Sequence, residues 1–346
     1  MNDVMTTSRL GRVAMAGLLA LAIGCPPRDG GGARCPPARL AGDLASLLTA
    51  VHAKTVSGAK PGSDAFVVPD DAARDAFASA VVRALDGDAA AACSLPPSYR
   101  FGVVAEPGLG DVRIVAELDA SGEPIPKLFW GTYAALVVAP GGAKTRRLAI
   151  EAPHPVFDKN TAEEAFLVMK AARARHLLVA GAHRCTSTAP SGCSGTTTAC
   201  SGSTSFAMSD AAHSVRTPFF AVHAALSDAD AKLLFLQLHG NAQGCPAALV
   251  SDCSGAWPAA GPSERLAAEL AKRGVDVGRC GAGHPTASCN LCGETNVEAR
   301  RSAGSASPCT SNGTSFGRVV HVEQLISLRD APARLIDAVS AAFDQE

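Results

Sequence analysis

The sequence predicts an α/β protein with a mixed, mostly parallel central sheet, helices on both faces and long disulfide-bearing loops. Three observations carry this. Apolar, β-branched runs alternate with stretches of helical periodicity over most of the chain. Several of these runs are apolar throughout, as in "AKLLFLQLH", which is how strands covered on both faces read. Nine of the 12 cysteines fall between residues 185 and 309, in Gly/Ser/Thr-rich segments too polar to be core.

With 346 residues, 47% of them hydrophobic, the chain can build one large core or two small ones. The formal net charge is −1; residues 1–24 carry Arg9, Arg12 and Asp3, a net +1, so the chain without them stands at −2. No basic stripe is visible, so no nucleic-acid partner is expected.

The N-terminus reads as an export signal over 1–24. Arg9 and Arg12 precede the apolar "VAMAGLLALAI", which is too short to span a bilayer as a helix. Gly24 and Cys25 follow. "AIGC" resembles the lipobox of bacterial lipoproteins, in which the Cys carries the lipid; it departs from the pattern by lacking Leu three residues before the Cys. Plain secretion and an uncleaved anchor are the alternatives. The lipoprotein reading makes Cys25 a membrane anchor and 25–37, rich in Pro and Gly, a tether. It places the mature chain outside the cytoplasm. Cysteine usage agrees, because 11 cysteines besides Cys25 suit loop-stapling disulfides, with one thiol left over. "CNLC", Cys289 to Cys292, has no second CxxC partner and reads as disulfide chemistry before a zinc half-site.

The elements follow in order. "ARLAGDLASLLTAVHAK" (38–54) and "DDAARDAFASAVVRALDG" (70–87) have helical spacing, so 38–98 reads as a small helical region. From 99 to 346 an α/β domain is expected. "YRFGVVAE", "VRIVAEL" and "LFWGTYAALVVAP" are strands, "PGGAK" (140–144) a turn, and "RRLAIEAPH" the next strand. Helices at 161–175, near 217–226 and at 262–273 precede the strands "HLLVAGAH", "AKLLFLQLH" and "VDVG". "GRVVHVEQL" is the last strand and "APARLIDAVSAAF" the last helix. No internal repeat appears, and 185–205 is low-complexity loop.

Three strands end in chemistry. "LAIEAPHPVFD" delivers His154 and then Asp158, "LLFLQLHG" delivers His239, and "VVHVEQ" carries Glu323. In such sheets the site lies beyond the carboxyl ends of the strands. Two histidines and a carboxylate leave a fourth zinc position for water, and a further carboxylate can take its proton. No Gly-x-Ser-x-Gly elbow and no phosphate-cradling Gly-rich loop with Lys is present.

In this order, the three segments resemble the zinc carboxypeptidases and their relatives, the aspartoacylases and poly-γ-glutamate hydrolases, over roughly 135–346. "LQLHGNAQ" is similar to the segment of the second histidine, "HVEQLISLRD" to that of the catalytic Glu, and "APHPVFDKNTAEEA" to the poly-γ-glutamate hydrolase pattern. The resemblance implies a zinc-exopeptidase-like fold and Zn²⁺ held by His154, Asp158 and His239, with Glu323 as general base. It also implies hydrolysis of a peptide, acyl-amino acid, cell-wall or polyglutamate amide. Asp158 stands four residues after His154, where carboxypeptidases use three, so Glu163 or Glu164 stays open as the carboxylate ligand. No clear Asn-Arg pair for a substrate carboxylate is present. Arg184, or Arg300 and Arg301, are candidates for that grip.

His183 and His213 are candidates to touch substrate or orient a ligand, with Asp210 a partner for His213. His321 shares a strand face with Glu323 by the two-residue period. His223 reads as packed within its helix, and His52, His176 and His284 as structural. The competing reading is a non-catalytic, disulfide-stapled binding or structural lipoprotein on the same scaffold.

Overall fold

The computed structural model describes residues 37–137, 144–241, 244–281 and 289–344. The expected export signal, Cys25, Cys35, His284 and residues 140–143 of the expected turn lie outside these. In chain order the strands are β1 (Ala38–Arg39), β2 (Tyr99–Glu106), β3 (Gly110–Glu117), β4 (Thr132–Leu136), β5 (Arg146–Ala152), β6 (Ala174–Val179), β7 (Thr196–Thr197), β8 (Thr204–Ser205), β9 (Leu234–Gly240), β10 (Ala248–Ser251), β11 (Val277–Arg279) and β12 (Val319–Gln324). The helices are α1 (Leu44–Gly58), α2 (Asp71–Asp86), α3 (Thr161–Ala172), α4 (Pro218–Ala229), α5 (Pro262–Lys272), α6 (Val297–Ser302), α7 (Ile326–Arg329) and α8 (Ala333–Ala342).

Helix starts follow local chemistry. The Asp70 side chain accepts from Ala73 N at the head of α2, Asp43 from Ser46 N at α1, and Thr217 from Phe220 N at α4, where Pro218 takes the first turn. Gly87 ends α2 at φ 113, a conformation costly for any residue with a Cβ. α3 ends at Ala172, before the expected 175. Arg173 turns left-handed at φ 50 and the chain enters β6 at once.

Ten strands form one sheet in the order β1-β2-β3-β4-β6-β5-β9-β12-β10-β11. The central β6, β5, β9 and β12 are mutually parallel, flanked by an antiparallel meander of β2, β3 and β4 and by β10 antiparallel to β12. The fold is therefore the expected mixed sheet. The sequence reading missed β10, a four-residue strand too short to show a period. It also missed α6, and it started the first helix six residues early, where β1 pairs with β2 instead.

One sheet face packs α1, α3, α5 and α8 on Leu148, Ile150, Leu234, Leu236, Leu238, Val320 and Val322. The other packs α2, α4 and α6 on Leu178, Phe235, Val319 and Ala149. Each such fully buried large side chain contributes roughly 1.5–3 kcal/mol. On this second face the apolar layer stops short. In register across β5, β9 and β12 lie Glu151, Gln237 and His321, with His239 beside Glu323 two residues on.

Disulfides staple the loops beyond the strand ends: Cys185–Cys200, Cys193–Cys309, Cys245–Cys289 and Cys280–Cys292. Cys93 is also disulfide-bonded. The two cysteines of "CNLC" thus serve different bridges, and Cys253 is a buried free thiol. Bridges of this number suit a compartment outside the reducing cytoplasm. Among the described residues no helix is long and apolar enough to cross a membrane.

Candidate metal centre

The site begins where β5 ends. After His154 the chain turns sharply, with Asp158 N and Phe157 N both donating to His154 O, at 2.7 and 3.1 Å. That turn absorbs the four-residue spacing and brings the Asp158 carboxylate back to the His154 ring, Oδ2 to Nδ1 at 3.5 Å. From β9, His239 Nδ1 reaches the same oxygen at 3.6 Å. Both histidine rings are buried and meet edge to face at 5.0 Å between centroids. Glu323, opposite His239 on β12, stands with Oε1 3.5 Å from His321 Nε2.

These gaps test the fit of a metal. They are long for hydrogen bonds. They match the edge of a tetrahedron, about 3.4 Å when metal–ligand bonds are about 2.0–2.1 Å. His154 Nδ1, Asp158 Oδ2 and Glu323 Oε2 are buried without a hydrogen-bond partner among the described residues. Three converging donor atoms of imidazole and carboxylate type, two of them otherwise unsatisfied, are what a divalent ion such as zinc needs. The residues present fit the ion.

The far side of His154 is held by a charge. Its Nε2 meets Asp210 Oδ1 at 2.8 Å, and the same oxygen accepts from His213 Nδ1 at 2.9 Å. Asp210 Oδ2 accepts from Arg184 Nε and Nη2, at 3.0 and 2.7 Å. One fully buried carboxylate therefore orients a ligand, a second histidine and an arginine at once. His213 stacks on Phe206, with centroids 3.9 Å apart.

Electrostatics set Asp158 and His239 in their ligating forms, whereas His154 holds a proton more tightly and must give it up to bind a metal. Burial raises the pKa of Asp158, but its contacts with His154 and His239 outweigh that and keep the carboxylate ionised. Burial pulls His239 down to about 4, so its ring is neutral at ordinary pH. Burial and Arg184 lower His154, yet Asp210 and Asp158 win and leave it above its ordinary value. Burial also acts upward on Asp210, which Arg184, His213 and His154 nonetheless hold well below the carboxylate range. Glu323 is pushed well up by burial and then by the charge of Asp158, against the opposing pull of Arg184 and Arg329.

A cleft of about 300 Å³ opens over these groups. His154, Arg184, His213, His239, His321 and Glu323 line its inner part. Its walls are the disulfide-stapled loops, through Thr196–Thr198 on one side and Asn290–Leu291 on the other. The candidates His154, Asp158, His239, Glu323, Arg184 and His213 thus come together. Others do not. His183 lines a neighbouring groove and accepts from Cys185 N at Nδ1. Arg300 is committed elsewhere, its Nε and Nη1 donating to Glu294 O, Asn312 Oδ1, Ser194 Oγ and Pro308 O, which locks the loops that wall the cleft. Arg301 pairs with Asp228. Glu163 is exposed, and Glu164 bonds Gln324 Nε2 at 2.7 Å.

Sequence reasoning missed Gln237 and Asn296 and saw in Asp210 only a partner for His213. The strand period gave a signal for Gln237, two residues before His239 and so on the same face. Asp210 follows a loop with no period, and nothing local marks it as a hub.

No protein-family model matches the chain, and no curated protein sequence matches it. Solved structures do. The chain is similar to amidohydrolase and carboxypeptidase structures. With the N-formylglutamate amidohydrolase of Ralstonia eutropha JMP134 it shares 12% identity, 58% of this chain covering 93% of that one, at a TM-score of 0.33. With a metallo-carboxypeptidase of Burkholderia cenocepacia it shares 14%, over 71% and 64% of the two chains, at 0.36. A putative metallopeptidase of Shewanella amazonensis SB2B gives 12%, 81% and 96%, at 0.31. At these values the likeness carries nothing about the site, whose reading rests on its own geometry.

Proposed function

We propose that the chain is an extracytoplasmic zinc-dependent hydrolase of an amide bond, in a peptide, an acyl-amino acid, or a cell-wall or polyglutamate substrate. The observation that carries this is the convergence of His154 Nδ1, Asp158 Oδ2 and His239 Nδ1 at tetrahedral spacing beside Glu323 Oε2, which has no partner among the described residues. A zinc ion held by His154, Asp158 and His239 would supply Lewis acidity and would make a water at the site more acidic. Glu323 Oε2 accepts the proton of the attacking water and hands it to the departing nitrogen. Arg184, fixed by Asp210, lines the cleft where it suits a substrate carboxylate, and His213 beside it suits the carbonyl or its neighbour. Cys25 serves as the lipid anchor that holds the enzyme at a membrane surface.

The test is elemental analysis of the purified protein beside Glu323→Gln, with a panel of peptides and N-acyl amino acids. Close to one zinc per chain in both, with turnover falling 10²–10⁴-fold in the variant alone, supports the reading. Folded protein that takes up no zinc when zinc is supplied would falsify it and leave a stapled, non-catalytic scaffold.

A further inference from the structure

The two histidines are held from behind in different ways. Asp210 holds His154 Nε2 at 2.8 Å with a charge; His239 Nε2 faces the neutral side-chain amide of Gln237, Oε1 at 3.4 Å. An amide presents oxygen or nitrogen depending on which way it is flipped, so something must fix it.

Two neighbours do so, and they agree. Asn296 caps α6, and its Oδ1 accepts from Ala299 N at 2.8 Å. Its other atom, the donor Nδ2, therefore faces Gln237, at 2.7 Å from Oε1. On the opposite side the Glu151 carboxylate accepts from Gln237 Nε2 at 2.8 Å. A flip would set donor against donor at Asn296 and oxygen against oxygen at Glu151. Glu151 is itself tied down, since its Oε1 lies 2.8 Å from His223 Nδ1, and His223 Nε2 lies 2.9 Å from Ser302 Oγ. All these side chains are buried. A continuous relay thus runs from α4 and α6, across the sheet face, to His239.

We infer that Gln237, oriented by Glu151 and Asn296, is a positioning residue that fixes the tautomer of His239. With Oε1 held toward His239, the ring carries its hydrogen on Nε2 and turns the Nδ1 lone pair toward Asp158 and the ion. The amide does for His239 what the carboxylate of Asp210 does for His154, without adding a second charge behind the ion. As a statement about metal binding this rests on the proposed function; as a statement about the tautomer it does not.

The experiment is ring ¹⁵N spectroscopy of histidine-labelled, metal-free full chain, together with the zinc dissociation constant from chelator competition. Wild type should show His239 as a single Nε2–H tautomer. Gln237→Met, close in shape but unable to accept or donate here, should show a mixture of tautomers and bind zinc about 10–100-fold more weakly. Glu151→Gln, which lets the amide at 237 turn, should move both readouts the same way and less, and it decides the matter if Gln237→Met fails to fold. A mixed or Nδ1–H tautomer in wild type overturns the inference. So does a folded Gln237→Met with the wild-type tautomer and a zinc constant within about two-fold. Wild type with the single Nε2–H tautomer but no zinc binding upholds the lock and sinks the proposed function instead.

Discussion

The two faces of β5, β9 and β12 are made from the same short lengths of chain, seven, seven and six residues, and they do opposite things. Even-numbered residues on one face, Leu148, Ile150, Leu236, Leu238 and Val322 among them, are apolar and buried under helices. Odd-numbered residues near the carboxyl ends of the other, Glu151, Gln237, His239, His321 and Glu323, are polar and just as buried. The first face stabilises the fold by excluding water. The second tolerates burial because most of these groups find a partner, and unpartnered atoms of His154, Asp158 and Glu323 lie at the metal centre. The lesson is that one strand divides its labour by parity, with the core on one side giving the other a rigid base.

The largest expected effects break that division directly. Leu236 and His239 are three residues apart on β9 and face opposite ways. Leu236→Ala should cost about 2–5 kcal/mol in denaturant unfolding and leave the zinc stoichiometry intact. His239→Ala should abolish zinc retention and turnover while moving the unfolding of metal-free protein far less. If Leu236→Ala strips the zinc as completely, the two faces are not separable.

Within the polar face, Asp210→Asn sharpens the contrast between charged and neutral support. Asparagine keeps the shape but offers one oxygen where His154, His213 and Arg184 now share two. Zinc affinity should drop about 10–100-fold, read by chelator competition. An unchanged constant would mean that Asp210 serves the fold alone.

The smallest effect probes a buried acid of the opposite face. Glu164, bonded to Gln324, is pushed up to about 7, by burial against the opposing pull of that bond and Arg329. A carboxyl raised in the folded state keeps its proton longer there than in the unfolded chain. Its contribution is full below the unfolded value near 4.5 and is lost as pH rises through about 7. Glu164→Gln should flatten that part of the fall in stability between about pH 4.5 and about pH 7, with zinc affinity unchanged. Parallel pH–stability curves for the two proteins would show that Glu164 does not titrate this way.

Much of this was legible. His154, His239 and Glu323 stood at the ends of strong apolar runs, and the resemblance gave their order a meaning. The turn at 154–158, in which Asp158 reaches back, was readable as a short loop. What was not legible came from segments without a period. Asp210 sits after the Ser/Thr/Gly loop, and Asn296 after a cysteine-rich one, so nothing local tells a hub from a loop residue. Arg300 read as a free guanidinium, but four loop acceptors consume it. β10 escaped because four residues cannot display an alternation.

By itself the sequence determined the strand–helix alternation, the parity of the strands and the residues delivered to their ends, because periodicity and burial are properties of neighbours along the chain. Only the tertiary structure decided which of those residues meet. The convergence of His154, Asp158 and His239, the hub at Asp210 and the relay through Gln237 join atoms as far as 86 positions apart. Their spacing is set by sheet register and loop closure, which no local pattern encodes.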